Sequence, residues 1–184
     1  GYISDKNYNS SFSKQIKYLG LIKDLNKIIK NYNSENLFGI IGIGDNIKRK
    51  KIFLEIKKFN KKLKWTNVIH PSAFVSPSVT IGYGNVILAG SIICAETKIH
   101  NHVCINTGSY IDHDNIFHNF SSTGPAVATG GKVKVGEKSF LGIGCAIKDK
   151  ILIGANTVIG GQAFVRQNCK PNSLYYGVPA KRIK

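Results

Sequence analysis

Residues 135–165 read VGEKSFLGIGCAIKDKILIGANTVIGGQAFV, and an aliphatic residue returns at every sixth position: Val135, Leu141, Ile147, Ile153, Ile159 and Val165. The register extends back to Ile69 without a break and covers 17 positions, of which 14 are Ile, Val or Leu. Phe117, Thr123 and Thr129 occupy the other three. A period of six fits neither the 3.6-residue helix nor an alternating strand. It indicates a solenoid with short flat faces, in which one inward aliphatic side chain per face stacks on the next coil.

A second column of small or β-branched residues lies four positions after the aliphatic column. Its members are Ala73, Val79, Ser91, Thr97, Val103, Ser109, Ser121, Val127, Val133, Ser139, Cys145, Thr157 and Ala163. Glycine often follows the aliphatic residue directly, as in Ile81-Gly82, Val135-Gly136, Leu141-Gly142, Ile153-Gly154 and Ile159-Gly160. The repeat therefore has the form aliphatic-Gly-x-x-small-x.

This hexapeptide resembles that of the left-handed β-helix acyltransferases. The resemblance implies a triangular coil with three faces, so that 17 hexapeptides make between five and six coils. The left-handed crossover of that family is an exception to the right-handed rule for parallel strands. The period alone predicts the solenoid, whereas its handedness follows only from the resemblance.

The length of 184 residues allows one domain, or a small domain and a solenoid. The sequence contains no apolar run that is long enough to span a membrane, and we expect no membrane span. Its four cysteines show neither paired spacing nor a metal-site pattern. We interpret them as free thiols in a reducing compartment and expect a cytoplasmic protein.

The charge of the chain is strongly positive and uneven. The formal net charge is +16. Residues 1–68 hold 15 Lys and Arg against 5 Asp and Glu, and residues 69–184 hold 11 against 5. A nucleic-acid-binding protein is the alternative that such a charge suggests. The lysines of residues 48–64, however, follow the pattern of an amphipathic helix with Ile52, Phe53, Ile56 and Phe59 on its apolar face. We therefore expect a solvated basic face and no nucleic-acid partner.

The sequence divides near residue 68. Residues 1–67 alternate short strand and helix signals, and we predict a small, Rossmann-like α/β domain there. Residues 68–184 contain the repeats, which end near Arg166, and a C-terminal tail. Between a predicted strand at Leu37–Gly42 and the basic helix lies Gly44-Asp45-Asn46. A strand, a glycine turn and a helix place a phosphate or ribose at a helix N-terminus, although Gly44 also fits an ordinary turn.

The order of these pieces resembles one subgroup of the β-helix acyltransferases. Gly-Asp-Asn-x-x-Arg-Lys, Ile-His-Pro-Ser-Ala, an Asp-His-Asp within the hexapeptides and a final Gly-Val-Pro-Ala-Lys-Arg follow one another along the chain. This order is similar to that of the nucleotide-sugar N-acetyltransferases of bacillosamine pathways and the sialic-acid O-acetyltransferases. The resemblance covers almost the whole chain.

The resemblance implies that the α/β domain binds a nucleotide sugar and that acetyl-CoA binds between neighbouring subunits of a homotrimer. It assigns substrate contacts to Asp5, Gly44, Asp45, Asn46 and Asn106. In that subgroup a strand, a glycine-rich loop and a helix come before the point that corresponds to Gly1. We therefore expect the nucleotide-sugar-binding domain, 1–67, to be partial and truncated.

The chemistry is expected at Ile111-Asp112-His113-Asp114. Histidine titrates near neutral pH, as a general base requires. If Ile111 points inward, its neighbours project outward, and a carboxylate can orient His113. By resemblance His113 is the general base, Asp114 is the adjacent carboxylate, and the Gly131 N–H faces the thioester carbonyl. Glycine suits such a position because the ligand must approach the backbone closely. The alternative for His113 is a surface histidine.

The resemblance also predicts coenzyme contacts. Gly131, Ser122, Ile143, Gly144, Val178, Pro179 and Lys181 are the expected contacts. Ser122 stands where the family often has a histidine, and near it Thr123 and Thr129 replace aliphatic residues, so we expect a locally rebuilt coil. His100 and His102 lack a third ligand at suitable spacing, and we expect no metal.

The predicted function is acetyl transfer from acetyl-CoA to the amino group of a nucleotide-linked amino-deoxy sugar of the UDP-4-amino-4,6-dideoxy type, for surface glycan biosynthesis. O-acetylation of sialic-acid-like sugars is an alternative, because both reactions can use His113. A non-catalytic β-helix that serves as a scaffold or binding module is a second alternative.

Overall fold

A computed structural model describes residues 1–4, 16–32 and 37–184. It divides into two compact units, one made of Gly1–Gly39 and Lys51–Trp65, the other of Ile40–Lys50 and Thr66–Lys184. Residues 40–50 thus cluster with the repeats rather than with the N-terminal segment. The division into a nucleotide-sugar-binding domain, 1–67, and an acyltransferase domain, 68–184, stays a prediction.

The first unit is a small α/β arrangement. Its strands are β1 (Tyr2–Ile3), β2 (Tyr18–Gly20), β3 (Phe38–Gly39) and β4 (Lys64–Trp65), and they form the parallel pairs β1–β2 and β3–β4. Its helices are a 3₁₀ turn (Ile22–Asp24), α1 (Leu25–Lys30) and the larger part of α2 (Asn46–Phe59). Leu25, Ile29 and Ile56 are buried together in its core. Helix α2 ends at Phe59, five residues before the end of the lysine-rich stretch, residues 48–64, whose pattern predicted an amphipathic helix.

The second unit is a ladder of two-residue strands. They are β5 (Val68–Ile69), β6 (Phe74–Val75), β7 (Thr80–Ile81), β8 (Val86–Ile87), β9 (Ile92–Ile93), β10 (Lys98–Ile99), β11 (Cys104–Ile105), β12 (Tyr110–Ile111), β13 (Ile116–Phe117), β14 (Ser122–Thr123), β15 (Ala128–Thr129), β16 (Lys134–Val135), β17 (Phe140–Leu141), β18 (Ala146–Ile147), β19 (Leu152–Ile153), β20 (Val158–Ile159) and β21 (Phe164–Val165). Each ends on one of the predicted inward positions. A C-terminal hairpin of β22 (Leu174–Tyr176) and β23 (Lys181–Arg182) follows.

These strands form three parallel sheets, one for each face of a triangular coil. Their orders are β7-β10-β13-β16-β19, β5-β8-β11-β14-β17-β20-β22-β23 and β6-β9-β12-β15-β18-β21. Paired residues lie 18 positions apart, as in Ile87↔Ile105 and Ile111↔Thr129. Three hexapeptides therefore complete one coil, and residues i and i+18 are neighbours in adjacent coils. We call the three connecting corners A (after the six-stranded sheet), B (after the five-stranded sheet) and C (after the eight-stranded sheet).

The core is the stack of inward side chains. Ile87, Ile93, Ile105, Ile111 and Leu141 are fully buried, and so is the second column at Val103, Val127, Val133 and Cys145. Burial raises the pKa of the Cys145 thiol to about 12, so this cysteine is a neutral core filler. The alternation of inward and outward residues in every strand follows directly from the pleat.

Each corner contains one residue in the left-handed backbone conformation. These residues recur every six positions from Gly84 to Gln162, with φ between 53° and 71°. Four of them are glycines and none is β-branched. The conformation costs an L-residue roughly 1 kcal/mol, whereas full burial of one isoleucine contributes about 1.5–3 kcal/mol. The inward stack therefore outweighs the strain of the corners.

The coil is locally rebuilt at the two core threonines, as expected. In a regular coil the Leu88 N–H donates to the Ile105 carbonyl at 2.9 Å. Asn106 N–H instead donates to Thr123 Oγ1 at 2.8 Å, and Asp112 N–H to Thr129 Oγ1 at 3.4 Å. Each hydroxyl takes the place of a backbone acceptor, so these polar side chains are satisfied within the core.

Substitutions at two adjacent residues of β19 test whether the inward stack stabilises the β-helix. Ile153 is 0% exposed and Leu152 is 47% exposed. Ile153→Ala leaves a cavity between coils and should lower the free energy of unfolding by about 2–5 kcal/mol. Leu152→Ala is the matched control and should cost less than about 1 kcal/mol. Urea unfolding of the two variants measures the difference, and equal losses would contradict the assigned faces.

Candidate active site

Corner A carries the predicted catalytic histidine in a defined hydrogen-bonded arrangement. His113 Nδ1 lies 2.7 Å from Asp114 Oδ2, and the His113 N–H donates to Asp112 Oδ1 at 2.7 Å. Asp114 is the left-handed residue of the corner, with φ 58°. Both side chains of the pair are about half exposed. The Asp114 carboxylate can only accept, so it favours the tautomer in which His113 Nδ1 carries the hydrogen and donates to Oδ2. In that tautomer Nε2 is free to take a proton.

Buried polar side chains fix this corner from inside. Asn115 Nδ2 donates to the carbonyl oxygens of Asp112 at 2.6 Å and Gly130 at 3.0 Å. Thr97 Oγ1 also donates to the Asp112 carbonyl, at 3.0 Å. Sequence reasoning missed Asn115, although one signal was present, because an amide interrupts the column of small residues at this position.

Gly131 lies one coil above His113 and contacts its ring. A Cβ at Gly131 would lie 2.7 Å from both Cε1 and Nε2 of His113, a distance that real Cβ contacts do not show. The imidazole therefore occupies the space that any larger residue would fill. Among the described residues, none accepts a hydrogen bond from the Gly131 N–H. This donor is available to a ligand beside Nε2.

A groove with a cavity volume of about 470 Å³ opens over these residues. It is lined by Asp112, His113, Gly130, Gly131, Lys132, Ile147, Lys148, Asp149 and Lys150. His113 and Gly131, two of the three residues that the sequence analysis assigned to catalysis, line the groove, and the third, Asp114, contacts His113 without lining it. The structure also adds three lysines that the sequence analysis did not single out.

A second groove of similar volume lies on the outer face of the eight-stranded sheet. Its lining includes Gly44, Asp45, Asn46 and Asn106, the described residues that were predicted to bind substrate, and also Ser122. Ser122 is buried and donates from Oγ to Asn46 Oδ1 at 2.7 Å. The structure therefore places Ser122 apart from the His113 groove, and its contact with the coenzyme stays a prediction.

Arg49 fixes the loop that forms one wall of this second groove. Its guanidinium, 2% exposed, donates to the carbonyls of Ile43, Gly44, His102 and Phe120 at 2.8–3.1 Å and to Asn46 Oδ1 at 2.6 Å. Burial lowers the pKa of Arg49. Sequence reasoning did not find this role, because a side chain that binds main-chain carbonyls leaves no periodic signal.

The remaining predicted coenzyme contacts lie at corner C and in the C-terminal hairpin. Ile143 is exposed and packs against Gly161, and Gly144 is the left-handed residue of the same corner. Val178 is exposed and precedes Pro179 through a cis peptide bond, and Lys181 is in β23. None of them lines the His113 groove, and their roles stay predictions. Asp5 lies outside the described residues.

His102 is a buried histidine of corner B. Its ring stacks on Phe120 with centroids 5.0 Å apart and meets Tyr83 edge-on at 5.4 Å. Burial, and next the charge of Arg49, lower the pKa of His102 to about 4. This histidine is therefore neutral in the folded protein near pH 7 and serves packing.

Two features are absent from the described residues. No group of three or more His, Cys, Asp or Glu side chains among them is arranged to hold a metal ion. No helix in the described ranges has both the length and the apolar character that crossing a membrane requires.

Solved structures with this architecture include acetyltransferases. A histidine-to-alanine variant of GDP-perosamine N-acetyltransferase from Caulobacter crescentus, in complex with CoA and GDP-perosamine, matches with a TM-score of 0.84 and 34% identity. The match covers 90% of this chain and 76% of that one. This chain belongs to the hexapeptide-repeat nucleotide-sugar N-acetyltransferases. The predicted family, its left-handed β-helix with a small N-terminal α/β domain, and the sugar acetyltransferase class are confirmed.

A second structural relative extends the match over almost the whole of this acetyltransferase. The acetyltransferase domain of PglB from Neisseria gonorrhoeae, in complex with acetyl coenzyme A, has a TM-score of 0.88 at 25% identity. It covers 98% of this chain and 84% of that one. The shared fold therefore includes the N-terminal unit as well as the β-helix.

Curated relatives of this acetyltransferase are more distant or match a shorter segment. The uncharacterized protein L142 of Acanthamoeba polyphaga mimivirus is 34% identical over 97 residues, which are 53% of this chain and 18% of that protein. The carnitine operon protein CaiE of Escherichia coli K12 is 23% identical over 132 residues, or 64% of this chain and 67% of that protein. No protein-family profile matches the chain.

The lowered pKa of His102 predicts a pH-dependent stability of this acetyltransferase. Between about pH 4 and 6.5 the unfolded chain binds a proton at His102 that the folded chain does not, so stability falls as the pH falls through this window. The loss reaches at most about 3 kcal/mol. His102→Asn, which tolerates the left-handed backbone and does not titrate, should flatten the dependence. Urea unfolding at pH 4.5 and 7.5 measures this change in the free energy of unfolding.

The exposed His70 is the control, since His70→Asn should keep the pH dependence of the wild type. An unchanged pH dependence in His102→Asn would contradict the assignment.

Proposed function

We propose that this protein transfers the acetyl group of acetyl-CoA to the amino group of a nucleotide-linked 4-amino-4,6-dideoxy sugar, with His113 as general base. The observation that carries the proposal is the placement of His113 and Gly131 side by side in one groove, with Asp114 bound to the Nδ1 side of His113. A base oriented by a carboxylate and a donor for an oxyanion are the two groups that acyl transfer from a thioester requires.

In the proposed reaction the amine attacks the thioester carbonyl carbon, so that the C–N bond forms and the C–S bond breaks. His113 Nε2 takes the proton that the amine loses and returns it to the leaving thiolate. Asp114, 2.7 Å from Nδ1, stabilises the imidazolium that forms in between. The Gly131 N–H donates to the carbonyl oxygen as negative charge develops there. No covalent enzyme intermediate is needed.

The groove has room for the pantetheine arm of a coenzyme beside His113. Gly130 and Gly131 line the groove without side chains, which lets a ligand approach the backbone beside His113. Bound acetyl-CoA would supply an activated acyl group there. The GDP-perosamine N-acetyltransferase and PglB structures contain CoA and acetyl coenzyme A respectively, which supports the same donor here.

The acceptor is proposed to occupy the second groove of a neighbouring subunit, where Gly44, Asp45, Asn46 and Asn106 lie together, because within one subunit this groove lies on the face opposite corner A. GDP-perosamine in the Caulobacter crescentus enzyme supports a nucleotide-linked amino sugar. We place the enzyme in the cytoplasm, in the synthesis of surface glycans, and its four cysteines are free thiols as a reducing compartment would keep them.

Mass spectrometry of the products tests this function and His113 together. Incubation with acetyl-CoA and GDP-perosamine, a UDP-linked 4-amino-4,6-dideoxy sugar or sialic acid should acetylate an amino sugar at nitrogen. His113→Asn should reduce kcat at least 10²-fold, because general-base catalysis contributes about 10²–10⁴-fold. His70→Asn, a change at an exposed histidine, should keep full turnover. Acetylation of sialic acid alone would move the protein to O-acetyl transfer, and undiminished turnover in His113→Asn would remove the proposed base.

We also propose a homotrimer that associates through the outer face of the six-stranded sheet. Phe74, Ile92, Tyr110 and Phe164 are exposed there, with Ala128 and Ala146 between them. This face carries no charge along its strands, whereas the five-stranded sheet presents Lys98 and Lys134. The face borders corner A, so a neighbouring subunit would complete the groove of His113.

Analytical ultracentrifugation checks the trimer. The wild-type chain should sediment as a trimer, and Ile92→Lys should dissociate it, because the substitution would bury an unpaired charge in the interface. Thr80→Lys adds the same charge to the five-stranded sheet and should leave the trimer intact. A stable wild-type monomer would contradict the proposed assembly.

A further inference from the structure

The second groove holds a cation that no function described above uses. Lys138 lines it together with Asn106, Asn156, Phe140 and Val158, next to Asn46 of the loop of residues 44–47. Lys138 is the left-handed residue of its corner, with φ 60°. Its main chain is fixed twice: the N–H donates to the Asn119 carbonyl at 3.1 Å, and the carbonyl accepts from Asn46 Nδ2 at 3.3 Å. The base of the side chain is therefore held in place.

The carboxylates around Lys138 are engaged elsewhere. Glu137, its neighbour in sequence, forms an ion pair with Lys50. Asp45, the acidic residue of the groove lining, accepts the Lys48 N–H at 2.8 Å and so caps helix α2. Within the described ranges, no ion pair within 4 Å involves Lys138. Its ammonium is the uncompensated charge of the groove.

Arg49 increases the positive potential of this region. Its buried guanidinium binds carbonyl and amide oxygens rather than a carboxylate, and it lies behind the loop that walls the groove. A cavity of about 470 Å³ with two cations and one capping carboxylate nearby attracts anions. Lys138 is the one of these two cations that lines the groove itself.

The rest of the lining indicates what the anion is attached to. Phe140, Val158 and Ile47 present partly exposed apolar surface, which suits a flat base. Asn106 Oδ1 accepts the Thr107 N–H and Asn156 Nδ2 donates to Asn172, so Asn106 Nδ2 and Asn156 Oδ1 are the amide atoms that remain for hydroxyl groups. We infer that Lys138 binds the diphosphate of a nucleoside diphosphate whose nucleoside lies along Phe140 and Val158. This inference rests on the proposed function, since it gives the charged part of the proposed acceptor a specific partner.

Calorimetric binding with paired ligands tests the inference without requiring turnover. UDP and GDP carry the diphosphate, whereas uridine and guanosine lack it. Lys138→Gln should weaken binding of the diphosphate that the wild type prefers by about 10–100-fold, the range expected for a charge-assisted hydrogen bond. Binding of the matching nucleoside should not change. Lys138→Arg should keep most of the affinity.

Lys134→Gln is the matched control. It removes the same charge from β16 on the five-stranded sheet, outside the groove, and should bind diphosphates like the wild type. Raising the ionic strength should weaken binding of the diphosphate and leave binding of the nucleoside unchanged.

Each other outcome overturns the inference. If neither diphosphate binds the wild type, or if Lys138→Gln binds it equally well, Lys138 is not a phosphate contact. If Lys138→Gln binds both the nucleoside and the diphosphate more weakly, the residue stabilises the wall of the groove and does not contact the phosphate. Coenzyme A also contains a diphosphate, and weakened binding of coenzyme A alone would assign Lys138 to the donor. Diphosphate binding that depends on Lys138 but occurs without any acetyl transfer would leave this inference intact and refute the proposed function.

Discussion

The return of the chain every 18 residues is the constraint on which the molecule depends. Each coil must place its inward residue above that of the previous coil, because the stack supplies most of the buried apolar surface. The left-handed residue at every corner is the local cost of turning within so few residues. The same rule determines which side chains meet on the outside. His113 and Gly131 are neighbours because they differ by 18, so the repeat that packs the core also sets the distance between the proposed base and the proposed oxyanion donor.

Polar side chains determine where the regular repeat carries chemistry. The side chains of Asn115 and Thr129 bind the carbonyl and the N–H of Asp112, beside His113, from within the coil, which leaves the outward atoms of the corner to face a ligand. The second groove is also held by buried polar side chains. Hydrogen bonds of Asn46, Arg49 and Ser122 attach the loop of residues 44–47 to the wall of the β-helix. Each of these side chains makes at least one hydrogen bond, although the buried Asn115 Oδ1 has no partner among the described residues.

The sequence predicted the β-helix in detail because its signal repeats. Sixteen of the 17 predicted inward positions are buried or half-buried, whereas Ile69, in the first strand of the ladder, is 41% exposed. Three faces of six residues imply the pairing of residues 18 apart. The roles of the Asp-His-Asp corner and Gly131 were predicted from the family resemblance, and the pairing explains why His113 and Gly131 meet. Arg49 could not be found in this way, because it binds main-chain carbonyls from a helix far away in sequence. For the same reason residues 40–50 were assigned with the N-terminal segment, whereas their contacts place them with the coils. Lys138 could not be distinguished in the sequence from Lys132 and Lys150, which occupy the same left-handed position of other corners.

We propose that the acyl donor lies along corner A, with its thioester between His113 and Gly131. A crystal structure of the protein with coenzyme A bound tests this placement. We expect the coenzyme sulfur beside Gly131, within reach of His113 Nε2, and the pantetheine arm over Gly130 and Gly131. A coenzyme that occupies only the groove beside Ser122 and Asn46, with corner A empty, would rule out this placement.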